Sequence, residues 1–226
     1  MRVVLSLGGG TINPEGTPDT ETIKRIAKLV LQSPHQFGIV TGGGRVARVY
    51  AQAARELGAN EYEADETAVI TTRQNAKLFL SALGSEAHQK VLVDFDDAGC
   101  AIESKKIVVM GGTIPGITTD TDSVLLAEKI HATRLVNISN VEAIYDSNPK
   151  TNPNAKRFEK LSYSELIKLA NEADTRAAGT NFVFDILACK LAARSKLELH
   201  FISAKKIDDL KNAIDGKKHS GTVVKA

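Results

Sequence analysis

Short runs of apolar and β-branched residues recur along the chain between longer stretches in which apolar positions repeat every three or four residues. The short runs lie at residues 2–7 (RVVLSL), 37–41 (FGIVT), 90–95 (KVLVDF), 106–112 (KIVVMGG), 134–140 (RLVNISN) and 197–203 (LELHFIS). Continuous apolar runs bounded by glycine suit parallel strands covered on both faces. The longer stretches, residues 20–33, 45–58, 70–84, 121–132, 162–173 and 182–195, have the spacing of amphipathic helices. Strands alternating with helices predict a mostly parallel α/β sandwich. The strongest loop is residues 145–158 (YDSNPKTNPNAKRF), whose two Asn-Pro pairs stop helix and strand alike and separate an N-terminal from a C-terminal lobe.

Composition changes this picture little. At 226 residues, 42% hydrophobic and 25% charged, the chain has the make-up of a globular protein with a substantial core. Its 29 basic and 27 acidic residues leave a net charge of +2, so no global field draws it to nucleic acid or to a membrane surface. Cys100 and Cys189 stand far apart with no C-x-x-C pair or His cluster beside them, which points to two buried small apolar residues and to neither a disulfide nor a zinc site. The first apolar run is too short for a signal peptide and no run approaches transmembrane length, so a cytoplasmic protein is expected. The sequon at Asn137 falls inside a core strand and carries no meaning.

Candidate chemistry begins with three glycine-rich turns, each following a different expected strand: SLGGGT (6–11), TGGGRVAR (41–48) and GGTIPGITTD (111–120). One such turn is an ordinary strand-to-helix connection; three at the edge where the strands of an open α/β sheet end mark a ligand site. Without Cβ atoms, backbone N–H groups can form a concave nest, and a helix N-terminus adds partial positive charge, which suits phosphate. The middle turn also fits G-x-G-x-x-A, with Asp65 about twenty residues on as a ribose partner, but that fingerprint normally follows the first strand and leaves two turns unexplained. A Walker motif is absent. Arg45 reads as a solvated charge and Arg48, one turn further in, as a phosphate ligand. The third turn offers Thr113, Thr118 and Thr119, then Asp120 and Asp122 at a helix start, where Thr118 or Asp120 is suited to N-capping. Asp185 interrupts an apolar run on an expected core helix and requires a partner or a metal.

Five segments, at residues 42–50, 65–76 (DETAVITTRQNA), 109–120, 139–149 (SNVEAIYDSNP) and 178–195, resemble in order and spacing the archaeal type of uridylate kinase in the amino acid kinase superfamily. The likeness runs over nearly the whole chain, and GGT-x-P-G-x-TTD combined with TR-x-NA is specific to it. The resemblance implies a single domain folded as a three-layer αβα sandwich with about eight strands, an acceptor-binding lobe at about 1–135 and an ATP-binding lobe at about 136–226. It implies transfer of the γ-phosphoryl of ATP to UMP with Mg2+ and no covalent intermediate, in a homohexamer serving pyrimidine nucleotide biosynthesis. Matched onto this chain, Ser6, Leu7, Gly8, Gly9 and Gly10 would cradle the donor phosphates, joined by Gly44 and Arg48, with Ser139, Asn140, Tyr145 and Asn148 lining the ATP nucleoside pocket. Gly43, Asp65 and the loop Thr113, Ile114, Pro115, Gly116, Ile117, Thr118 and Thr119 would hold UMP. Arg48, Asp120 and Asp185 would be the catalytic groups, the two carboxylates organising magnesium or neighbouring donors, with no dedicated protein metal site.

Ser6 stands where many superfamily members have lysine, Glu142, Ala143 and Asn148 alter the family's ATP loop, and Ala68 replaces a usual glycine. The changes in the ATP loop bear on donor affinity or donor choice more than on acceptor identity, and Ala68 is expected to crowd the UMP side slightly. The helix after the second turn lacks the histidine of isopentenyl phosphate kinases, and the segment 182–186 has Asp185 where acetylglutamate and aspartate kinases have lysine. Other readings are a related small-phosphate kinase, a nucleotide-binding regulatory module without transfer, and a dinucleotide-dependent oxidoreductase.

Overall fold

In a computed structural model, which describes residues 1–147, 149, 151–174 and 184–226, seven strands form one sheet in the order β3-β2-β1-β4-β6-β7-β5. They are β1 (Arg2–Leu7), β2 (Gln36–Thr41), β3 (Ile107–Met110), β4 (Arg134–Ser139), β5 (Lys160–Leu161), β6 (Glu198–Ser203) and β7 (Thr222–Val224). Pairing is parallel from β3 to β6, antiparallel between β6 and β7, and parallel again between β7 and β5. Successive side chains of the central strands enter opposite cores: Val3, Leu5 and Leu7 pack with one set of buried residues, Val4 with the other. On the first face lie α1 (Gly9–Ile12), α2 (Thr20–Gln32), α4 (Glu61–Leu83) and α9 (Ile207–Asp215). The second face is covered by α5 (Phe95–Ser104), α6 (Thr119–Lys129), α7 (Tyr163–Asp174) and α8 (Ile186–Ser195), while α3 (Gly44–Glu56) packs outside against α4. This is the expected three-layer α/β sandwich, with seven strands among the described residues where about eight were expected.

Three expectations need correction. Residues 90–95 form no strand: Leu92 makes one bridge to Met110, and Asp94 then caps α5 by accepting from Asp96 N–H and Asp97 N–H at 2.8 and 3.1 Å. The helix expected from residue 70 starts at Glu61, fixed by a reciprocal cap in which Asn60 Oδ1 accepts from Glu63 N–H and Glu63 accepts from Asn60 N–H. Cys189 is buried as expected, but Cys100 lies exposed on α5. Among the described residues no helix is long and apolar enough to cross a membrane.

The register that positions the site is simple. Leu7 pairs with Thr41 and with Ile138, and Val40 with Met110. The C-terminal ends of β1, β2, β3 and β4 therefore finish along one edge, and the chain leaves three of them through glycine.

Candidate active site

The first two glycine turns are packed backbone to backbone. A Cβ on Gly9 would lie 2.0 Å from Gly44 N and 2.6 Å from Gly43 C, and one on Gly44, whose φ is +67°, would lie 2.2 Å from Asn13 Oδ1. Gly42 N–H donates to Leu7 C=O at 2.8 Å, tying the turns at their root. At the start of α1, the N–H groups of Gly9 and Gly10 have no preceding helical turn to bond to, and the N-terminus of α3 opens beside them at Gly44. Two helix starts thus converge on one place, the arrangement that favours phosphate oxygens.

Carboxylates stand at the back of this cradle. Asp120 Oδ1 accepts from the buried Ser6 hydroxyl and from Asn137 Nδ2, each at 3.1 Å. Burial and the neighbouring Asp185 carboxylate push the Asp120 carboxyl up to about 7, against the lowering effect of those two hydrogen bonds. Asp185 is not inside a core helix, as its apolar neighbours suggested. It is the N-cap of α8, accepting from Leu187 N–H and Ala188 N–H at 2.9 and 3.0 Å, and it also accepts from the hydroxyls of Thr118 and Thr121. The required partner is supplied by hydroxyls.

The third turn is held from both ends. Thr113 donates to the fully buried Asp122 through its hydroxyl at 2.6 Å and its N–H at 3.2 Å; burial pushes that carboxyl up to about 6. At the tip, Gly116 N–H donates to Asp65 Oδ2 at 3.1 Å, with Gly116 at φ +87°. Thr118 caps α6 by accepting from Thr121 N–H at 3.2 Å. Between these anchors Ile114 is 59% exposed and Pro115 and Ile117 are half-buried.

The expected residues fall into groups. Gly8, Gly9, Gly10, Gly43 and Gly44 meet in one cradle, with Ser139 beside Gly8, Asn140 beside Gly10 and Thr119 beside Gly42. Gly8 N–H is already spent on Ile138 C=O at 2.9 Å, and the Leu7 side chain is fully buried in the core. Arg48 projects exposed from α3 and, among the described residues, makes no hydrogen bond or ion pair. Arg45 pairs with Glu15 at 3.4 Å in an exposed contact of little energetic consequence. Tyr145 bridges to Arg157 further along the connecting loop, and Asn148 lies outside the described residues. Glu142, one of the departures from the family pattern, is answered by Lys206 at 3.1 Å. Sequence reasoning gave no role to Asn13, Thr72, Arg73, Asn75 or Asn137, whose side chains hold the turns and the carboxylate in place. The signal available was a set of polar residues, in TR-x-NA, on a helix otherwise packed into the core.

The pattern of the amino acid kinase family matches residues 1–203. Uridylate kinase of Thermococcus kodakarensis is 43% identical over 226 residues, 99% of each chain, and that of Archaeoglobus fulgidus is 42% identical over 202 residues, covering 89% of this chain and 90% of the other. The crystal structure of uridylate kinase from Archaeoglobus fulgidus superposes with a TM-score of 0.86 at 40% identity, over 99% of this chain and 100% of that one. UMP kinase from Bacillus anthracis shares the fold at a TM-score of 0.82 and 23% identity, over 99% and 95% of the two chains. From its first strand to its sixth, this chain belongs to the amino acid kinase family.

Proposed function

We propose that the protein is a uridylate kinase, transferring the γ-phosphoryl of ATP to UMP to give UDP. The observation that carries this reading is the backbone contact of Gly9 with Gly43 and Gly44, together with full-length similarity to uridylate kinases. In the reading, the cradle of Gly8, Gly9, Gly10 and Gly44 receives the donor phosphates, with Ser139, Asn140, Tyr145 and Asn148 towards the ATP nucleoside. Gly43, Asp65 and the 113–119 loop receive UMP. Phosphoryl transfer leaves the protein mainly positioning and charge neutralisation. Arg48, cationic and unpaired, then clamps the transferred charge.

Magnesium accompanies the donor in this reading, neutralising phosphate charge. The adjoining Asp120 and Asp185 are a fitting pair to face it, since two neighbouring carboxylates are stabilised by a cation. A cytoplasmic location is part of this reading. The exposed Val49, Tyr50, Tyr62 and Ile70 on α3 and α4 support self-association, read here as a hexamer and checked by sedimentation, where a monomer would remove it.

The test is a coupled assay with Mg2+ and ATP against UMP, CMP, AMP, isopentenyl phosphate, N-acetylglutamate and aspartate. Turnover with UMP is expected; turnover only with another acceptor sinks the assignment. In the same assay Arg48→Ala is expected to lose well over tenfold in transfer, about 2 kcal/mol or more, because a charge-assisted phosphate contact is lost. Unchanged activity in that variant would remove the clamp.

A further inference from the structure

Tight glycine turns free backbone carbonyls from the sheet ladder, and each needs a partner. Around the second and third turns those partners come from one turn of α4. Asn75 Nδ2 donates to Gly42 C=O at 2.7 Å. Arg73 donates through Nε to Gly112 C=O at 3.0 Å and through Nη2 to Thr113 C=O at 2.7 Å. Thr72 Oγ1 accepts from Gly112 N–H at 2.6 Å, and Thr72 C=O accepts from the Thr41 hydroxyl at 2.8 Å. The grip extends to the loop after α1, where Asn13 Nδ2 donates to Asn75 Oδ1 at 3.2 Å and to Gly43 C=O at 3.4 Å.

The ladder between β2 and β3 ends at Val40 and Met110, so beyond that pair the two turns leave the sheet separately. What spans them is a rigid helix whose side chains reach both. Backbone fits backbone here too: a Cβ on Gly111 would lie 2.7 Å from Arg73 Cα. The Arg73 fork closes on two successive carbonyls at the root of the acceptor loop, a geometry that a single ammonium cannot reproduce.

We propose that Arg73 and Asn75 are positioning residues for phosphoryl transfer, setting the distance between the Gly42–Gly44 turn and the acceptor loop without touching either nucleotide. This rests on the kinase reading above. The second turn lies between the donor and acceptor phosphates, so a drift of either turn separates the reacting oxygens while each nucleotide keeps its own contacts. Small misplacements of this kind are costly to the chemical step.

The experiment compares Arg73→Lys, Asn75→Ser and the double variant with the wild type. It measures kcat at saturating ATP and UMP, and the Kd of each nucleotide alone by calorimetry. Arg73→Lys keeps the charge at a half-buried site, so it remains folded even where Asn75→Ser does not. Expected are a loss in kcat of roughly tenfold or more in each single variant, and single-nucleotide Kd values within about threefold of wild type. The double variant should lose little more than the worse single one, because both residues act on one distance. A rise in the Kd of UMP matching the loss of kcat overturns positioning in favour of direct contact. Full kcat in the folded fraction, or losses that simply multiply, overturns it in favour of a scaffold role. A wild-type chain that does not phosphorylate UMP overturns the kinase reading and this proposal with it.

Discussion

Gly9→Ala is expected to reduce phosphoryl transfer by more than roughly 100-fold, because even a displacement of about 1 Å at a reacting centre costs that much. The added methyl would sit 2.0 Å from Gly44 N, 2.5 Å from Gly44 Cα and 2.6 Å from Gly43 C. No side chain rotation relieves this, since all three of these neighbours are main-chain atoms. The first and second turns must part, and Asn13 and Asn75 resist by holding Gly43 and Gly42. Overpacking of this kind also costs roughly 1–3 kcal/mol or more in stability. Gly10 is the internal control. A methyl there would meet only Asn140 Nδ2, at 3.8 Å, so Gly10→Ala should leave the contact between the turns intact and its melting temperature near that of wild type, whatever it costs in phosphate binding. Steady-state kinetics on both variants, with thermal melts to confirm folding, decide the matter. Near-normal turnover by Gly9→Ala would mean that contact between the turns is not needed for transfer.

That contact also explains how far the sequence could be read. Where function requires the absence of a side chain, glycine is written in the sequence, and the three turns were visible for that reason. Strands of six residues with buried alternating faces were equally plain. β5 and β7, of two and three residues, are too short to leave a pattern. Residues 90–95 misled because Val91, Leu92 and Val93 are as apolar as a strand, while Asp94 satisfies the first N–H groups of a helix instead. The opening turns of α4 hid behind Glu61, Tyr62 and Glu63, which face solvent, although the Asn60 and Glu63 spacing of a reciprocal cap was there to be seen. Arg73 and Asn75 were within a recognised motif, yet their task depends on which carbonyls the ends of β2 and β3 present to α4. That is a property of tertiary register, not of local spacing.

The Asp120 carboxyl exposes a conflict between stability and function. Its folded value of about 7, raised from 3.8, means that between about pH 4 and 7 the native state holds a proton that the unfolded chain has released. Stability therefore falls as pH rises through that window, and the full penalty is present above pH 7. At about 1.4 kcal/mol per unit, discounted for partial access of solvent, the penalty is on the order of 2–4 kcal/mol. Asp120→Asn keeps an acceptor for Ser6 and Asn137 and removes the like-charge contact with Asp185. Its melting temperature should match wild type near pH 4 and exceed it at pH 8 by about 4–16 °C, at roughly 2–4 °C per kcal/mol for a chain of this size. Asp122, raised to about 6 by burial, titrates in both proteins with the same sign, so the difference between them isolates Asp120. Transfer should fall by roughly 100-fold in the same variant, the scale on which losing one preorganised charge acts. On the kinase reading, the destabilising carboxylate serves the loaded site through its charge, a trade of stability for activity. An equal gain in melting temperature at both pH values would contradict the electrostatic origin of the penalty, and full activity in Asp120→Asn would remove the carboxylate from the chemistry.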